Sequence, residues 1–272
     1  MKPETQFCII TDLDGTLLPS SKIPLEQDVQ AIRRFEAAGG LFSIATGRTV
    51  QASHQYAEML KLKSPMIVFN GGMIYNPLSG EKLILQSLPD EAKAMTAEIL
   101  RENPHAGVEV LCTEDTWVIN NTEHEKQHIQ LCGVSPRYGT VDEVQGIWLK
   151  VLFAMSPEDM PAFMQYIHDK QFPNVDFIRS ELKFYEMLPA GNSKGSALHE
   201  YRNLPGMEHV KLIAVGDYDN DITMLEAADI AVCPANAADS VKAVADLVLS
   251  RTCEEGAMEE LISKILNQEI LS

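Results

Sequence analysis

The sequence has 272 residues, a formal net charge of −17 at pH 7 and a hydrophobic content of 45%. This length allows one large domain or two smaller ones, and the strongly acidic balance disfavours nucleic acid and anionic membrane surfaces, so we expect a small-molecule partner. No apolar run reaches membrane-spanning length, the first six residues are too polar for a signal sequence, and the five cysteines are scattered without CxxC spacing, so we expect a cytoplasmic protein with reduced thiols.

The first part of the chain alternates between predicted strands and helices. Residues 7–10 and 41–45 are short apolar runs that predict buried strands, and residues 24–38 carry apolar side chains at helical spacing. A helix is predicted over 49–60 and a third strand over 66–69, followed by a hairpin around 76–80. Strands that alternate with helices favour a parallel sheet with right-handed crossovers.

Between residues 82 and 188 the pattern changes to shorter strands and more polar helices, including a helix predicted at 123–131. We interpret 82–188 as a separate α+β domain inserted into a discontinuous core formed by 1–81 and 189–272. The alternation resumes after Pro189, with a strand predicted at 210–215 and a helix at 221–228. The predicted fold class is therefore α/β, with a Rossmann-like parallel-sheet core and an inserted α+β domain.

Polar groups follow four predicted strands of the core. They are Asp12 with Asp14, Thr46-Gly47-Arg48, Asn70-Gly71-Gly72, and Gly216-Asp217 with Asn220-Asp221. Parallel strands end at one crevice, and Lys194 at a predicted helix start could reach it. Each of these residues alone has an ordinary structural explanation, as a turn former, an acid at a helix start or a solvated lysine. Jointly, they favour a phosphate bridged by Mg²⁺, a hard ion that prefers oxygen ligands.

These motifs resemble the haloacid dehalogenase (HAD) superfamily, in particular its Cof-type phosphatases with a large inserted cap. The matching stretches are residues 12–16, 45–48, 70–72, 192–195 and 216–221. The sequence departs from the pattern of that branch in two places. Tyr218 stands where Asn is usual, which leaves the substrate open, and residues 233–236 replace a more usual Met-Gly-Asn-Ala.

The resemblance implies a phosphatase that hydrolyses a small phosphorylated metabolite, such as a sugar phosphate, through an aspartyl phosphate. It implies Asp12 as nucleophile, Asp14 as acid and base, and Thr46 and Lys194 as phosphate ligands. It places Mg²⁺ on Asp12, Asp217 and the backbone carbonyl of Asp14, supported by Asp221. The residues implied beside the substrate are Gly47, Arg48, Asn70, Gly71 and Asn220. A phosphomutase or phosphoryl transferase would use the same intermediate and is the main alternative.

Two features of the insert have competing interpretations. Arg179, Lys183 or Glu186 is expected to contact the leaving group, the alternative being that all three are solvated surface charges. His124-Glu125-Lys126-Gln127-His128 matches the HExxH pattern of zinc peptidases. No third ligand is evident and the flanks are polar, so we expect a solvated helix there. The sequence indicates no oligomeric state.

Overall fold

The computed structural model describes residues 6–270, apart from the side chains of Leu131 and Cys132. Within this range the chain divides into two compact units. The core unit contains residues 6–47, 53–84 and 193–270, and the inserted unit contains Arg48–Ala52 and Leu85–Asn192. The predicted division at 81/82 and 188/189 remains a prediction, and its outer ends, 1–5 and 271–272, lie outside the described residues.

Strands and helices follow one another along the described chain. The strands are β1 (Gln6–Thr11), β2 (Leu41–Ile44), β3 (Met66–Val68), β4 (Met73–Tyr75), β5 (Lys82–Leu85), β6 (Gly107–Cys112), β7 (Thr116–Asn120), β8 (Arg137–Tyr138), β9 (Trp148–Ala154), β10 (Val175–Glu181), β11 (Phe184–Pro189), β12 (Val210–Val215), β13 (Ile230–Cys233) and β14 (Leu247–Val248). The helices are α1 (Glu26–Ala37), α2 (Val50–Leu60), α3 (Ala92–Glu102), α4 (Glu123–Cys132), α5 (Met160–Lys170), α6 (Lys194–Arg202), α7 (Ile222–Ala227), α8 (Asp239–Lys242) and α9 (Ala257–Leu266). Short 3-10 helices cover Phe69–Gly71, Val141–Glu143 and Asp219–Asp221.

The core unit is built on a five-stranded parallel sheet in the order β14-β13-β12-β1-β2. In it β1 lies between β12 and β2, with Ile9 opposite Ile213 on one side and Phe42 on the other. The side chain of Ile9 is fully buried, as expected for a strand covered on both faces. The predicted α/β class is confirmed, and the carboxyl ends of β1 and β12 lie side by side.

The third predicted strand differs from the expectation. It ends at Val68 instead of residue 69, and β3 pairs antiparallel with β4. Towards the main sheet it forms an isolated parallel bridge between Ala45 and Ile67. The reason is local, because Phe69, Asn70 and the glycine after them all have positive φ, at 55°, 53° and 103°, and left-handed backbone cannot continue a strand.

The inserted unit contains a six-stranded sheet in the order β10-β11-β9-β6-β7-β8. One sheet face packs against α3 and α5 in an apolar cluster that includes Ile99, Val110, Val151, Phe153 and Phe163. On the other face Glu109 lies opposite Leu152, and Leu152 lies opposite Glu186. Two buried acids therefore occupy the face that does not carry the apolar cluster.

The described cysteines Cys8, Cys112, Cys233 and Cys253 are unpaired and buried, and Cys132 lies outside the described side chains. Burial raises the pKa of Cys8 and that of Cys112 to about 12, so these two thiols stay protonated and unreactive. No helix in the described part of the chain is long and apolar enough to cross a membrane. The cytoplasmic location stays a prediction.

A buried carboxylate joins α1 to α9 in the core unit. Asp28 is 1% exposed, and one of its oxygens accepts a hydrogen bond from the backbone N of Glu259 over 2.7 Å. Burial raises the pKa of Asp28 to about 6, while the hydrogen bond opposes the shift. The folded protein therefore holds this proton more tightly than the unfolded chain does, and Asp28 lowers the stability as pH rises from about 4 to about 6.

Asp28→Asn is expected to remove this pH dependence. The amide oxygen can accept the same hydrogen bond without a buried charge, so the variant should exceed the parent in unfolding free energy at about pH 8, by up to about 3 kcal/mol. The measurement is urea unfolding of both proteins at about pH 5 and about pH 8. A constant difference between the two proteins at both pH values would contradict the assignment.

Candidate active site

The loop after β1 carries Asp12 and Asp14 at the carboxyl edge of the sheet. The backbone N of Asp12 donates to Val215 O over 2.8 Å, which ties this residue to the end of β12. Gly15 has a φ of +82°, and a Cβ there would lie 2.5 Å from Asp217 Oδ2. Because only glycine tolerates both conditions, Gly15 lets the loop close against Asp217.

Lys194 enters the site from the first position of α6. Ser193 caps this helix, and a Cβ on Gly195 would lie 2.2 Å from a backbone oxygen of α7, so the close helix packing requires glycine. The Lys194 side chain is fully buried, and its Nζ lies 2.6 Å from Asp12 Oδ1 and 2.6 Å from Asp221 Oδ1. One ammonium group thus bridges carboxylates from two different strand ends.

Asp217 and Asp221 are held by the turn that follows β12. Asp221 Oδ2 accepts hydrogen bonds from the backbone N of Asp217, over 2.9 Å, and of Tyr218, over 3.2 Å. Thr16 Oγ1 donates to Asp217 Oδ1 over 2.5 Å. A Cβ on Gly216 would lie 2.4 Å from the Asp221 Cβ, so glycine leaves room for this turn. Asp221 therefore organises the turn, while Thr16 orients Asp217.

The buried charges of this cluster shift one another's pKa values. Burial raises the pKa of Asp12, and Lys194 opposes that shift. Burial and then Asp221 raise the pKa of Asp217 to about 7. Burial alone would lower the pKa of Lys194, but Asp12 and Asp221 outweigh it and raise that pKa. A raised pKa favours the neutral form of Asp12, whereas the 2.6 Å contacts of Lys194 with Asp12 and Asp221 favour ionised carboxylates beside a charged ammonium group. We infer the ionised form, because both contacts have the short distance of charge-assisted hydrogen bonds.

This cluster has the composition of a divalent-cation site. Oxygen atoms of Asp12, Asp217 and Asp221 all lie within 4.8 Å of one another, and within the described residues no other group of three His, Cys, Asp or Glu side chains does so. Three carboxylates against one ammonium group leave two negative charges when all are ionised. Oxygen-only ligands suit a hard cation such as Mg²⁺, so the residues present fit the predicted metal.

Sequence reasoning missed two contacts of the loop after β1. Lys22 Nζ lies 2.7 Å from Asp14 Oδ1, although Lys22 sits in a polar loop whose pattern gives no hint of its contact. Asn236, one of the departures from the family pattern, donates from Nδ2 to Gly15 O over 2.8 Å, and its Oδ1 accepts from Cys253 N over 2.9 Å. Residues 233–236 therefore stabilise the loop after β1 through the hydrogen bonds of Asn236.

Thr46, Asn70 and Asn220, predicted from three strand ends, lie together. The backbone N of Asn70 donates to Thr46 O over 3.0 Å, and Asn220 Nδ2 donates to Asn70 Oδ1 over 3.2 Å. A Cβ on Gly47 would lie 2.9 Å from Asn70 Nδ2. Gly71 closes the left-handed turn with its φ of +103°. The structure thus brings these five residues into one polar group.

The other predicted substrate residues lie in the inserted unit. Arg48 falls within it. Arg179 donates from Nε to the backbone oxygen of residue 181 over 3.2 Å and from Nη2 to that of residue 182 over 3.0 Å, so it closes the turn between β10 and β11. Lys183 Nζ donates to Gln127 Oε1 over 3.2 Å. Their role at a substrate stays a prediction.

Glu186 is not the surface charge that the alternative interpretation required. It is 3% exposed, and its Oε1 accepts from Lys150 Nζ over 3.0 Å and from Ser180 Oγ over 2.8 Å. Lys150 is equally buried, at 2% exposed. A buried, hydrogen-bonded ion pair on a polar sheet face has a specific environment, so the solvated alternative is wrong for this residue.

The helix with the HExxH pattern is not solvated on its inner face. Glu125 is 1% exposed, and a Cβ on Gly107 would lie 2.6 Å from the Glu125 Cβ, so α4 packs directly on β6. His128 Nδ1 lies 2.6 Å from Glu109 Oε2. Burial, followed by the charge of Glu109, raises the pKa of Glu125 to about 7. The described side chains of His124, Glu125 and His128 do not converge as metal ligands.

Known proteins resemble the chain over nearly its whole length. The model of the haloacid dehalogenase-like hydrolase family matches residues 9–261. A 5-amino-6-(5-phospho-D-ribitylamino)uracil phosphatase of Bacillus subtilis is 28% identical over 254 residues, which cover 92% of this chain and 94% of that protein. A pyridoxal phosphate phosphatase of Escherichia coli is 27% identical over 281 residues, which cover 96% and 100%.

The fold is also found among solved structures. The crystal structure of a haloacid dehalogenase-like hydrolase from Bacteroides thetaiotaomicron superimposes with a TM-score of 0.85 at 25% sequence identity. The match covers 95% of this chain and 99% of that one. The similarity therefore includes the inserted segment as well as the parallel sheet.

Proposed function

The chain belongs to the haloacid dehalogenase-like hydrolases, and we propose that it is a Mg²⁺-dependent phosphatase whose nucleophile is Asp12. The observation that carries this proposal is the surroundings of Asp12. A buried lysine lies 2.6 Å from its Oδ1, and Asp217 and Asp221 offer oxygens within 4.8 Å. A carboxylate at a strand end, beside a buried ammonium group and two further carboxylates that can hold a cation, can accept a phosphoryl group.

The sequence-based predictions of the superfamily and of a phosphatase for small phosphorylated metabolites are confirmed at that level. The finer choice of substrate is a proposal. The B. subtilis relative is named as the phosphatase of a compound that carries a phosphorylated ribityl group, which supports a phosphorylated sugar or sugar alcohol as the substrate. The E. coli relative, named for pyridoxal phosphate, supports the wider class of small phosphate esters.

The proposed Mg²⁺ ligands are Asp12, Asp217 and the backbone carbonyl of Asp14, with Asp221 in support. When bound, the cation supplies positive charge that offsets the charges of the carboxylates and of the phosphate. Thr16 already orients Asp217, and Asp221 already holds the turn through two backbone N–H groups. These contacts keep the carboxylates in place without a cation, which is how preorganised sites avoid reorganisation during the reaction.

The proposed reaction has two steps. In the first, an Asp12 oxygen forms a bond to phosphorus while the bond from phosphorus to the leaving oxygen breaks, and Asp14 gives that oxygen a proton. In the second, Asp14 takes a proton from a water molecule, whose oxygen attacks phosphorus and releases Asp12. Splitting one slow displacement into two assisted steps is the advantage of a covalent intermediate.

Several residues are proposed to bind the phosphate rather than to react. Lys194, charged through its two carboxylate partners, can neutralise both Asp12 and a phosphate oxygen. Thr46 and Asn70 are each 1% exposed, and their side chains are polar groups at the same edge of the sheet. Asn220 is tied to Asn70, which gives this group a fixed geometry. Positioning by such groups is a large part of phosphoryl-transfer catalysis.

Substrate discrimination is proposed to depend on residues of the inserted unit. Arg179→Ala and Lys183→Ala are expected to lower kcat/KM for the best metabolite by about tenfold while sparing p-nitrophenyl phosphate, because they remove contacts to the leaving group alone. For Glu186 the test is Glu186→Gln, since Ala would remove a partner of the buried Lys150. An equal loss on both substrates would point to folding instead, and unchanged kinetics in all three variants would refute the assignment.

The proposed function is tested by assaying the purified protein with Mg²⁺ against a panel of phosphorylated sugars, sugar alcohols and vitamin phosphates. Release of inorganic phosphate from at least one of them is expected. Assays with and without an acceptor sugar separate hydrolysis from phosphomutase activity, which would place the phosphoryl group on the acceptor. Inactivity towards the whole panel would refute the proposal.

A further inference from the structure

Both aspartates of the loop after β1 have a lysine partner, but the two lysines lie in different environments. Lys194, paired with Asp12, has a fully buried side chain. Lys22 Nζ lies 2.7 Å from Asp14 Oδ1, with side chains that are 39% and 30% exposed. The proposed function uses Lys194 but gives Lys22 no role. We propose that Lys22 is a positioning residue, which holds the Asp14 carboxyl group in the orientation that proton transfer to the leaving group requires.

The fold fixes the point from which the Lys22 side chain starts. The backbone N of Lys22 donates to Pro19 O over 2.9 Å, and the hydroxyl of the buried Tyr56 donates to Lys22 O over 3.3 Å. Lys22 has a φ of +58°, a conformation that residues other than glycine keep only where the surroundings impose it. The chain thus holds Lys22 in an uncommon backbone geometry that directs it to Asp14.

Asp14 is fixed within the same loop. It forms an isolated β-bridge with Leu18, and the backbone N of Gly15 donates to Leu18 O over 3.2 Å. Lys22 follows Leu18 by four residues, so its ion pair with Asp14 joins the two ends of this loop. A general acid must lie within hydrogen-bond reach of the atom it protonates. A side-chain carboxyl group rotates readily, and a charged partner on a fixed backbone restricts that rotation.

A purely structural role for the pair is distinguishable from this one. An ion pair with both partners partly exposed contributes little to folding stability, so its loss should leave the protein folded. Loss of positioning would instead appear in the chemistry, and most strongly for leaving groups that need a proton. Phenyl phosphate and p-nitrophenyl phosphate differ only by the para nitro group, and phenolate is the more basic leaving group, so its release depends more on the acid.

The inference rests on the proposed function, and its experiment separates the two. Lys22→Met, Lys22→Arg and Lys63→Met are compared with the parent protein on both esters in the presence of Mg²⁺. Lys63 is the matched control, because it forms a partly exposed ion pair with Glu36, over 3.2 Å, in the core unit. The readout is kcat/KM, which covers the steps up to release of the leaving group.

Lys22→Met is expected to lower kcat/KM about tenfold for phenyl phosphate and less than about threefold for p-nitrophenyl phosphate. Lys22→Arg should restore most of the loss, and Lys63→Met should match the parent. Equal losses on the two esters, or no loss in Lys22→Met, would overturn the role of Lys22 while leaving the phosphatase in place. A parent protein that hydrolyses neither ester nor any metabolite of the panel would overturn the proposed function itself.

Discussion

Asp12→Asn is expected to lower turnover by roughly a thousandfold or more while the protein stays folded. The amide cannot form the bond to phosphorus, so the first step of the proposed reaction is lost. Folding should survive because Asn has the same shape and Lys194 keeps Asp221 as a partner at 2.6 Å. The measurement is kcat for p-nitrophenyl phosphate, together with thermal unfolding of the same sample.

The matched control for that variant is Asp28→Asn, which also replaces a buried carboxyl group of the core unit. Asp28 contacts α9 rather than the site, so its replacement should leave kcat within about twofold of the parent. Substantial turnover in Asp12→Asn, or a comparable loss in both variants, would contradict the role of Asp12.

Removal of divalent cations with EDTA is expected to lower activity by at least about a hundredfold, and Mg²⁺ should restore it. The reason is the charge of the cluster, in which the carboxylates of Asp12, Asp217 and Asp221 outnumber the single ammonium group of Lys194. A cation bound there also stabilises the folded state, by about 2.7 kcal/mol at a concentration of one hundred times its Kd. Mg²⁺ should therefore raise the melting temperature of the EDTA-treated protein.

A pair of acidic residues on one turn provides the control for metal binding. Asp217→Asn should largely remove the Mg²⁺-induced rise in melting temperature, because it deletes a ligand. Asp219→Asn loses the same charge two residues away and should keep the rise, because the side chain of Asp219 is exposed and accepts a hydrogen bond from Ser240 Oγ over 2.6 Å. Ca²⁺ should restore little activity, because its looser coordination misplaces the nucleophile. Full activity in EDTA would contradict the metal requirement.

The convergence of the core site was predictable because it depends on a rule about strand ends. Asp12 and Asp217 follow apolar strands that read clearly in the sequence, and parallel strands bring their carboxyl ends to one edge. Lys194 was predictable because a helix start near that edge fixes its approach. The contact between Lys22 and Asp14 was not, since it depends on how an irregular loop folds back.

Contacts between strands that are far apart in the chain could not be predicted from the sequence either. Glu186 meets Lys150 across two neighbouring strands, and these residues are 36 positions apart in the chain. This ion pair depends on the register of β11 with β9, and α5 and β10 lie between these strands in the chain, so no hairpin turn fixes that register in advance. Glu125 was expected to be solvated because α4 is polar, but the absence of a side chain at Gly107 lets this helix pack closely on β6.

The central claim is that a phosphoryl group is carried by Asp12, and rapid acid quenching tests it most directly. The protein is mixed with a radiolabelled phosphate ester and Mg²⁺, quenched during the first turnover, and digested for peptide mapping by mass spectrometry. The proposed mechanism predicts one phosphoryl group on the peptide that contains Asp12, and none in Asp12→Asn. Release of phosphate in the first turnover with no labelled peptide, or with the label on another residue, would contradict it.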